Sequence, residues 1–125
     1  MVAPPATPVH LVAVATAVPE YLIDQAVAAD LARGYFEARM PEYDRLSRVF
    51  GSTGVERRYT TVPSSWFDGP HGWAERTSAY VAGASALFER VVVRALAAAS
   101  LDAADIDAVV FVSSTGISTP SIEAR

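Results

Sequence analysis

The chain has 125 residues, of which 51% are hydrophobic and 19% charged, and its formal net charge is −4 at pH 7. This length and composition predict one folded domain with an apolar core and exclude a chain that is disordered by composition. The sequence contains no cysteine and no lysine, so these residues provide no disulfide, thiolate ligand, cysteine nucleophile or Schiff-base lysine. The acidic charge gives no reason to expect nucleic acid as a partner, and no apolar run is long enough to predict a membrane span.

The N-terminal region begins with residues 1–8, which contain three prolines and are predicted to be a disordered leader. Residues 9–18 form an apolar run of signal-peptide length, but no lysine or arginine precedes Arg33, so the positive region of a signal peptide is missing. Within this run, residues 9–16 have the pattern of a strand. We therefore expect a strand that is covered on both faces, in a cytoplasmic protein.

Two helices are predicted next. Residues 24–39 place apolar side chains at i, i+4 and i+8 behind a capping aspartate, which predicts the first helix. Residues 41–51 begin with proline, carry acidic residues in the first turn and reach a glycine, which predicts the second helix. The apolar residues of the second helix that are expected to face inward are Leu46, Val49 and Phe50.

The middle of the chain is predicted to be less regular. Residues 55–62 alternate as a short strand or extended arm, and residues 63–72 are rich in turn residues and are predicted to form a loop. We expect His71 to be solvated, and Trp66 and Trp73 to anchor this loop onto the core.

The longest predicted element is a helix over residues 73–99, in which polar residues form only a narrow stripe. Such a helix is expected to be largely buried and packed on more than one side. Residues 108–114 predict a second strand that is apolar on both faces, and residues 118–123 predict the start of a last helix. Alternating strands and helices indicate an α/β fold with partly parallel strands, and so few strands indicate an incomplete domain: a fragment, a truncated gene product or half of a split protein.

The first candidate site is a group of arginines in residues 33–58, which contain six of the ten arginines. Arg45 and Arg48 are three residues apart and share a face of the predicted helix, and guanidinium groups donate paired hydrogen bonds to phosphate. The alternative is a solvated surface on which Glu42 and Asp44 are ion-pair partners, and the spacing alone favours this alternative.

The second candidate site is the hydroxyl-rich segment 113–121, which follows the carboxyl end of a predicted strand, where ligands of open α/β sheets gather. The alternative is turn and capping chemistry, with Ser118 or Ser121 as an N-cap. No hydroxyl in the segment has a recognisable base, so we assign no serine nucleophile. His10 and His71 are far apart and no cysteine is present, so no metal site is expected.

These motifs together resemble the N-terminal part of type III polyketide synthases, the chalcone/stilbene-synthase-like enzymes of the thiolase fold. The resemblance rests on LVAVATAVPEYLIDQ (11–25), RLSRVFGSTGVERRY (45–59), the Ala-rich helix and AVVFVSSTGISTPSIEAR (108–125). The chain is more similar to bacterial alkylresorcinol or alkylpyrone synthases than to plant chalcone synthases. The resemblance implies that residues 9–125 are an incomplete αβαβα layered domain, about the first third of a family member, which stops before the catalytic cysteine.

The resemblance implies that Arg45 and Arg48 bind coenzyme A, because basic residues at these positions hold its phosphates in the family. It therefore reverses the preference for a solvated surface. A third basic position of that group is Ser52 in this chain, so the phosphate contact is expected to be weaker or different.

The resemblance also implies roles for the second candidate segment. Ser114 and Thr115 match residues that line the acyl or cyclisation cavity, and Thr119 matches a residue that reaches across the dimer interface into the partner's cavity. The bond before Pro120 resembles one that is cis in the family.

The family condenses an acyl-CoA starter with malonyl-CoA units as a homodimer, with these thioesters as substrates and no separate cofactor. Its machinery is a cysteine nucleophile with a histidine and an asparagine, and because this chain has no cysteine, we assign no catalytic residue and expect the chain alone to be inactive. The alternatives are a segment of a ketoacyl-ACP synthase III-like initiator, and a non-catalytic dimerisation or regulatory remnant or split-enzyme half.

Overall fold

The computed structural model describes residues 8–125, so the predicted leader lies outside the described residues except for Pro8, which is exposed. Within this range the chain forms two strands and four α-helices. These elements are β1 (Tyr21–Asp24), α1 (Gln25–Phe36), α2 (Tyr43–Leu46), α3 (Val49–Ser52), β2 (Arg57–Thr60) and α4 (Trp73–Ala99). Three short 3-10 turns occupy Ser64–Asp68, Ala103–Asp105 and Ile122–Ala124.

The two strands form an antiparallel pair in which Tyr21 lies opposite Thr60 and Asp24 opposite Arg57. Strand β2 confirms the prediction for residues 55–62. Strand β1 was missed, because its four residues directly precede a helix and no element was assigned to residues 21–23. In the described part of the chain this is the only strand pair, so the expected parallel pairing is not observed there.

The first predicted helix is confirmed as α1, which ends at Phe36. The second is wrong as a continuous helix: it is divided into α2 and α3, and the hydroxyl of Ser47 donates to the carbonyl of Asp44 at 3.1 Å at the division. Serine hydroxyls compete in this way with helical backbone bonds. The buried apolar side chain here is Tyr43, whereas Leu46 and Val49 are exposed.

Helix α4 has the predicted bounds. It begins after Gly72, whose N–H donates to the Glu75 carboxylate at 2.9 Å. It ends at Ala99, and the capping residue Ser100 has the left-handed conformation, with φ of 56°. No residue of α4 is fully buried, so the expected burial on several sides is wrong for the described residues. The reason is that few described elements pack against it, chiefly Thr61, the segment around Phe111 and the turn at Ile122. In this described part of the chain, no helix has the length and apolarity to cross a membrane.

The predicted strands over residues 9–16 and 108–114 are not strands in the structure. Both segments lie along α4: Arg94 donates to the carbonyl of Thr16 at 2.9 Å, and Phe88 meets Phe111 edge to face with ring centroids 5.7 Å apart. A strand requires a hydrogen-bonded neighbour, and no segment of residues 8–125 pairs with either one. Their apolar side chains are consequently exposed, as for Val9 at 98%.

Candidate functional site

A cavity of about 890 Å³ lies between β2, the 63–72 loop, α4 and residues 110–115. We call it cavity 1. Ser114 and Thr115 both line it, and their role toward an acyl chain stays a prediction. Most of the remaining lining is apolar or aromatic and includes Tyr59, Trp66, Phe67, Tyr80, Leu87, Phe88 and Phe111. Cavity 1 therefore combines a largely apolar wall with hydroxyl groups.

The hydroxyl-bearing turn is positioned by its contact with α4. A Cβ atom placed on Gly116 would lie 2.5 Å from Cγ of Tyr80, so only glycine lets the backbone approach this ring. The N–H of Thr115 donates to the hydroxyl of Ser113 at 3.3 Å, which tightens the turn. The close approach at Gly116 keeps Ser114 and Thr115 beside the cavity.

Thr119 is exposed and does not line cavity 1. The bond between Thr119 and Pro120 is cis, as expected from the resemblance. Beside it, the hydroxyl of Ser118 donates to the carbonyl of Pro120 at 2.6 Å and accepts a hydrogen bond from Arg125 at 3.2 Å. Ser118 therefore serves the turn, while Ser121 occupies an N-cap position without a capping bond from its side chain.

Arg45 and Arg48 lie on the surface formed by α2 and α3, and neither lines cavity 1. Arg45 pairs with the Glu42 carboxylate at 2.9 Å, with both side chains about two-thirds exposed. An exposed pair of this kind contributes little to stability, so Arg45 can exchange Glu42 for another anion at small cost. The coenzyme A role of the two arginines remains a prediction.

A second cavity, of about 610 Å³, was missed by the sequence analysis. It lies between α1, the strand pair, the 63–72 loop and the first turn of α4, and we call it cavity 2. Its lining residues are Ile23, Ala28, Leu31, Ala32, Tyr35, Phe36, Arg58, Thr60, Trp66, Phe67, His71 and Arg76. Four of these residues also line cavity 1 and form the partition between the two: Thr60, Trp66, Phe67 and Arg76.

The 63–72 loop is held against α1 by polar and aromatic contacts. The hydroxyl of Tyr35 donates to the carbonyl of Gly69 at 2.7 Å, and the ring of His71 stacks on Trp66 with centroids 3.8 Å apart. The expectation that His71 is solvated is wrong, because this stacking and a contact of 2.6 Å between its Nε2 and the carbonyl of Trp66 leave its side chain 22% exposed. Trp66 is half-buried and stacks within its own loop, so its anchoring of the loop onto the core stays a prediction. Trp73 does not anchor the loop, since it is 77% exposed.

Gln25 connects three elements around cavity 2. Its N–H donates to the carbonyl of Glu56 at 2.9 Å, its side-chain amide donates to the carbonyl of Phe50 at 2.8 Å, and its amide oxygen accepts from Nε of Arg58 at 3.1 Å. The guanidinium of Arg58 also lies 5.8 Å from the Phe50 ring centroid. These contacts fix the position of Arg58, and a single glutamine has no sequence spacing that could have revealed them.

Glu75 stands next to the loop at the start of α4. Its carboxylate accepts the N–H of Gly72 and lies 3.4 Å from Nδ1 of His71. The hydrogen bond from Gly72 and, less strongly, the neighbouring His71 lower the pKa of Glu75 below its usual value. Residues 8–125 contain no cluster of three potential metal ligands.

Comparison with known proteins places these features in a family context. No protein-family model matches the chain. A chalcone synthase-like protein of Bacillus subtilis is 31% identical over 121 residues, covering 92% of this chain and 33% of that protein. The 1,3,6,8-tetrahydroxynaphthalene synthase of Streptomyces griseus is 37% identical over 110 residues, covering 88% of this chain and 29% of that enzyme.

A solved structure shows the same likeness in three dimensions. The crystal structure of 1,3,6,8-tetrahydroxynaphthalene synthase from Streptomyces coelicolor A3(2), a bacterial type III polyketide synthase, superposes with a TM-score of 0.76 at 32% identity, covering 88% of this chain and 31% of that one. This likeness confirms the predicted α/β, thiolase-like fold class. The chain spans about a third of the length of the curated relatives that it matches.

Proposed function

Because the chain belongs to the type III polyketide synthase family, we propose that it forms the N-terminal part of a synthase that condenses an acyl-CoA starter with malonyl-CoA extender units. The observation that carries the proposal is the position of Ser114 and Thr115 on a largely apolar cavity of about 890 Å³, a size typical of ligand pockets. An apolar cavity suits an acyl or polyketide chain, and hydroxyl groups can bind its carbonyl oxygens.

The proposal gives Arg45 and Arg48 the role of binding the phosphates of coenzyme A. Both are exposed on the α2–α3 surface, and the partner of Arg45 is an exposed carboxylate. Replacing Glu42 by a phosphate would exchange one charge-assisted hydrogen bond for another. Substrate entry at this surface would leave cavity 1 free for the acyl chain.

The proposal assigns Thr119 to the contact with a second subunit of a homodimer. Thr119 is exposed beside the cis bond and outside cavity 1, so its side chain is available to a partner. The complete synthase is proposed to be cytoplasmic and to use the two thioesters as substrates without a separate cofactor.

These 125 residues contain no cysteine, so the chain alone is expected to form no acyl-enzyme. This is tested by incubating the chain with a long-chain acyl-CoA and malonyl-CoA and analysing the products by mass spectrometry. A condensed product above the buffer control would contradict it.

The positive part of the proposal is tested with a chimera in which residues 8–125 replace the matching third of the Streptomyces coelicolor synthase. The chimera should release coenzyme A from malonyl-CoA, and Arg45→Gln with Arg48→Gln should raise KM about tenfold, because each loses a charge-assisted contact. Arg33→Gln, an exposed α1 substitution, is the matched control and should leave KM unchanged. A folded chimera without turnover, or equal KM values for all variants, would contradict the proposed roles.

A further inference from the structure

Cavity 2 is lined both by apolar side chains and by positively charged arginines. Its lining includes the apolar side chains of Ile23, which is 5% exposed, Leu31 and Phe67, and the exposed residues Arg58 and Arg76. No carboxylate lines the cavity among the described residues. The lining of the site therefore combines buried apolar side chains with exposed cationic ones.

Arg58 and Arg76 form no ion pair within the described part of the chain. The ion pairs there join Arg33 to Glu37, Arg45 to Glu42 and His71 to Glu75, and none involves Arg58 or Arg76. Arg58 donates from its Nε to the neutral amide oxygen of Gln25, and its guanidinium lies 5.8 Å from the Phe50 ring centroid. Within residues 8–125 its terminal nitrogens donate no hydrogen bond to a side chain.

The cavity is also held in shape by contacts that do not need a ligand. The bond from Tyr35 to Gly69 fixes the loop to α1, the His71 ring stacks on Trp66, and Gln25 holds Arg58. All of these contacts lie in residues 21–76, so the site does not depend on the segments along the rest of α4. A preformed cavity loses little conformational entropy when it is occupied.

We propose that cavity 2 binds a small amphiphilic monocarboxylate, with its apolar chain against Ile23, Leu31 and Phe67 and its carboxylate between Arg58 and Arg76. A guanidinium group matches a planar carboxylate with two parallel hydrogen bonds. The volume of about 610 Å³ accommodates an alkyl chain. This site is separate from the surface proposed for coenzyme A, because neither Arg45 nor Arg48 lines it, and the inference does not rest on the proposed synthase activity.

The test uses the full chain with Trp73→Phe, which leaves Trp66 in the cavity wall as the only tryptophan. Titration with decanoate is expected to change Trp66 fluorescence saturably, and decanol, which has no charge, should bind at least about tenfold more weakly. Decyl phosphate distinguishes a carboxylate site from a general oxyanion site and should also bind more weakly than decanoate.

Variants locate the site. Arg58→Gln, at a residue that lines cavity 2 and not cavity 1, and Arg76→Gln, at a residue that lines both, should each weaken decanoate binding about tenfold, since each loses one charge-assisted contact. Arg57→Gln, the neighbouring position on β2 that does not line the cavity, is the matched control and should bind as the parent does. Ala28→Leu, which adds volume to the lining, should prevent binding while the far-ultraviolet circular dichroism is retained.

The inference is overturned if decanoate gives no saturable change, if decanol or decyl phosphate binds as tightly as decanoate, or if Ala28→Leu binds normally. It is also overturned if the Arg58 and Arg76 variants bind like the Arg57 variant. A chimera without synthase activity would leave these binding results unchanged, so the two proposals can fail separately.

Discussion

Two regions of the molecule are both rich in apolar residues but differ in how far these side chains are buried. The hairpin unit, residues 20–62, ties α1, the strand pair and the two short helices together and buries Ile23 and Tyr43. The α4 unit consists of α4 and its flanking segments 8–18 and 106–117. It is the more apolar region, yet Val110 is 89% exposed.

The two units differ in whether their extended segments find hydrogen-bond partners for their backbone N–H and C=O groups. In the hairpin unit, the backbone groups of β1 and β2 hydrogen-bond to each other, and the side chain of Gln25 in α1 bonds to Phe50 of α3 and to Arg58 of β2. In the α4 unit, segments 8–18 and 106–117 have one neighbour, a helix, which cannot supply a strand ladder. Apolar residues become buried only when a second layer covers them. Residues 8–125 bury Ile23 and Tyr43 in the hairpin unit and Ile122 in the turn against α4, but leave segments 8–18 and 106–117 largely uncovered.

The largest effect is expected on self-association, because exposed unpaired segments tend to pair with a second copy. Val110→Lys with Val112→Lys places two charges on a segment where both valines are more than 80% exposed. The double variant should raise the concentration at which the chain associates by more than about tenfold, since burial of each valine contributes about 1.5–3 kcal/mol. Analytical ultracentrifugation measures this shift.

The control for self-association is Leu46→Lys, an exposed position in the hairpin unit, which should leave association unchanged. Equal effects of the two changes would mean that association does not depend on the α4 unit. A monomeric parent chain at all concentrations would contradict the expected pairing altogether.

A second large difference is expected in stability, measured by urea unfolding in the Val110→Lys, Val112→Lys background. Ile23→Ala removes three carbons from a side chain that is 5% exposed and should reduce the free energy of unfolding by about 2–4 kcal/mol. Leu11→Ala removes the same number of carbons from a side chain that is 84% exposed and should change it by less than about 0.5 kcal/mol. Similar losses for both would show that segment 8–18 is buried in solution.

The same contrast explains what the sequence could predict. Helices α1 and α4 depend on local periodicity and end signals, and both were predicted, α4 with its bounds. The pairing of β1 with β2 joins segments far apart along the chain, and four residues carry too little pattern to reveal it. The prediction of strands at 9–16 and 108–114 was wrong for the described residues, because an apolar pattern indicates a preference for a covered sheet and does not supply the sheet.

The two cavities also differ in whether a local sequence pattern points to their lining residues. Ser114 and Thr115 could be singled out because they follow an apolar segment and carry a family motif. Both line cavity 1, and their role toward a substrate stays a prediction. Cavity 2 was missed, because its wall combines α1, the strand pair, the loop and Arg76, which have no common spacing in the sequence.

A smaller change in stability is expected when alanine replaces either of two helical glycines, and its sign should differ between the two positions. A Cβ on Gly83 of α4 would overlap the side chain of Thr61, whereas one on Gly34 of α1 would meet nothing within 4 Å. Gly83→Ala should destabilise the chain, because overpacking costs about 1–3 kcal/mol and exceeds the gain in helix propensity. Gly34→Ala should stabilise it by about 0.5–1 kcal/mol, and urea unfolding of both variants checks the signs.

A stabilising Gly83→Ala would mean that α4 does not hold Thr61 closely. In that case the α4 unit would lack a fixed contact with the residue that directly follows β2, and cavity 1 would not keep its shape.

The smallest effect is expected in the pH dependence of stability at the start of α4. The N–H of Gly72 lowers the pKa of Glu75 from its usual value of 4.5, so ionised Glu75 stabilises the folded chain above that value. This contribution is lost as the pH falls through the lowered pKa. The melting temperature of the parent should therefore fall more than that of Glu75→Gln between about pH 5 and pH 3.

Glu89→Gln, an exposed position on the same helix, should follow the parent. If Glu75→Gln also follows the parent, the carboxylate does not bind Gly72 and His71 in solution, and the loop that separates the two cavities is held by the Tyr35 and Trp66 contacts alone.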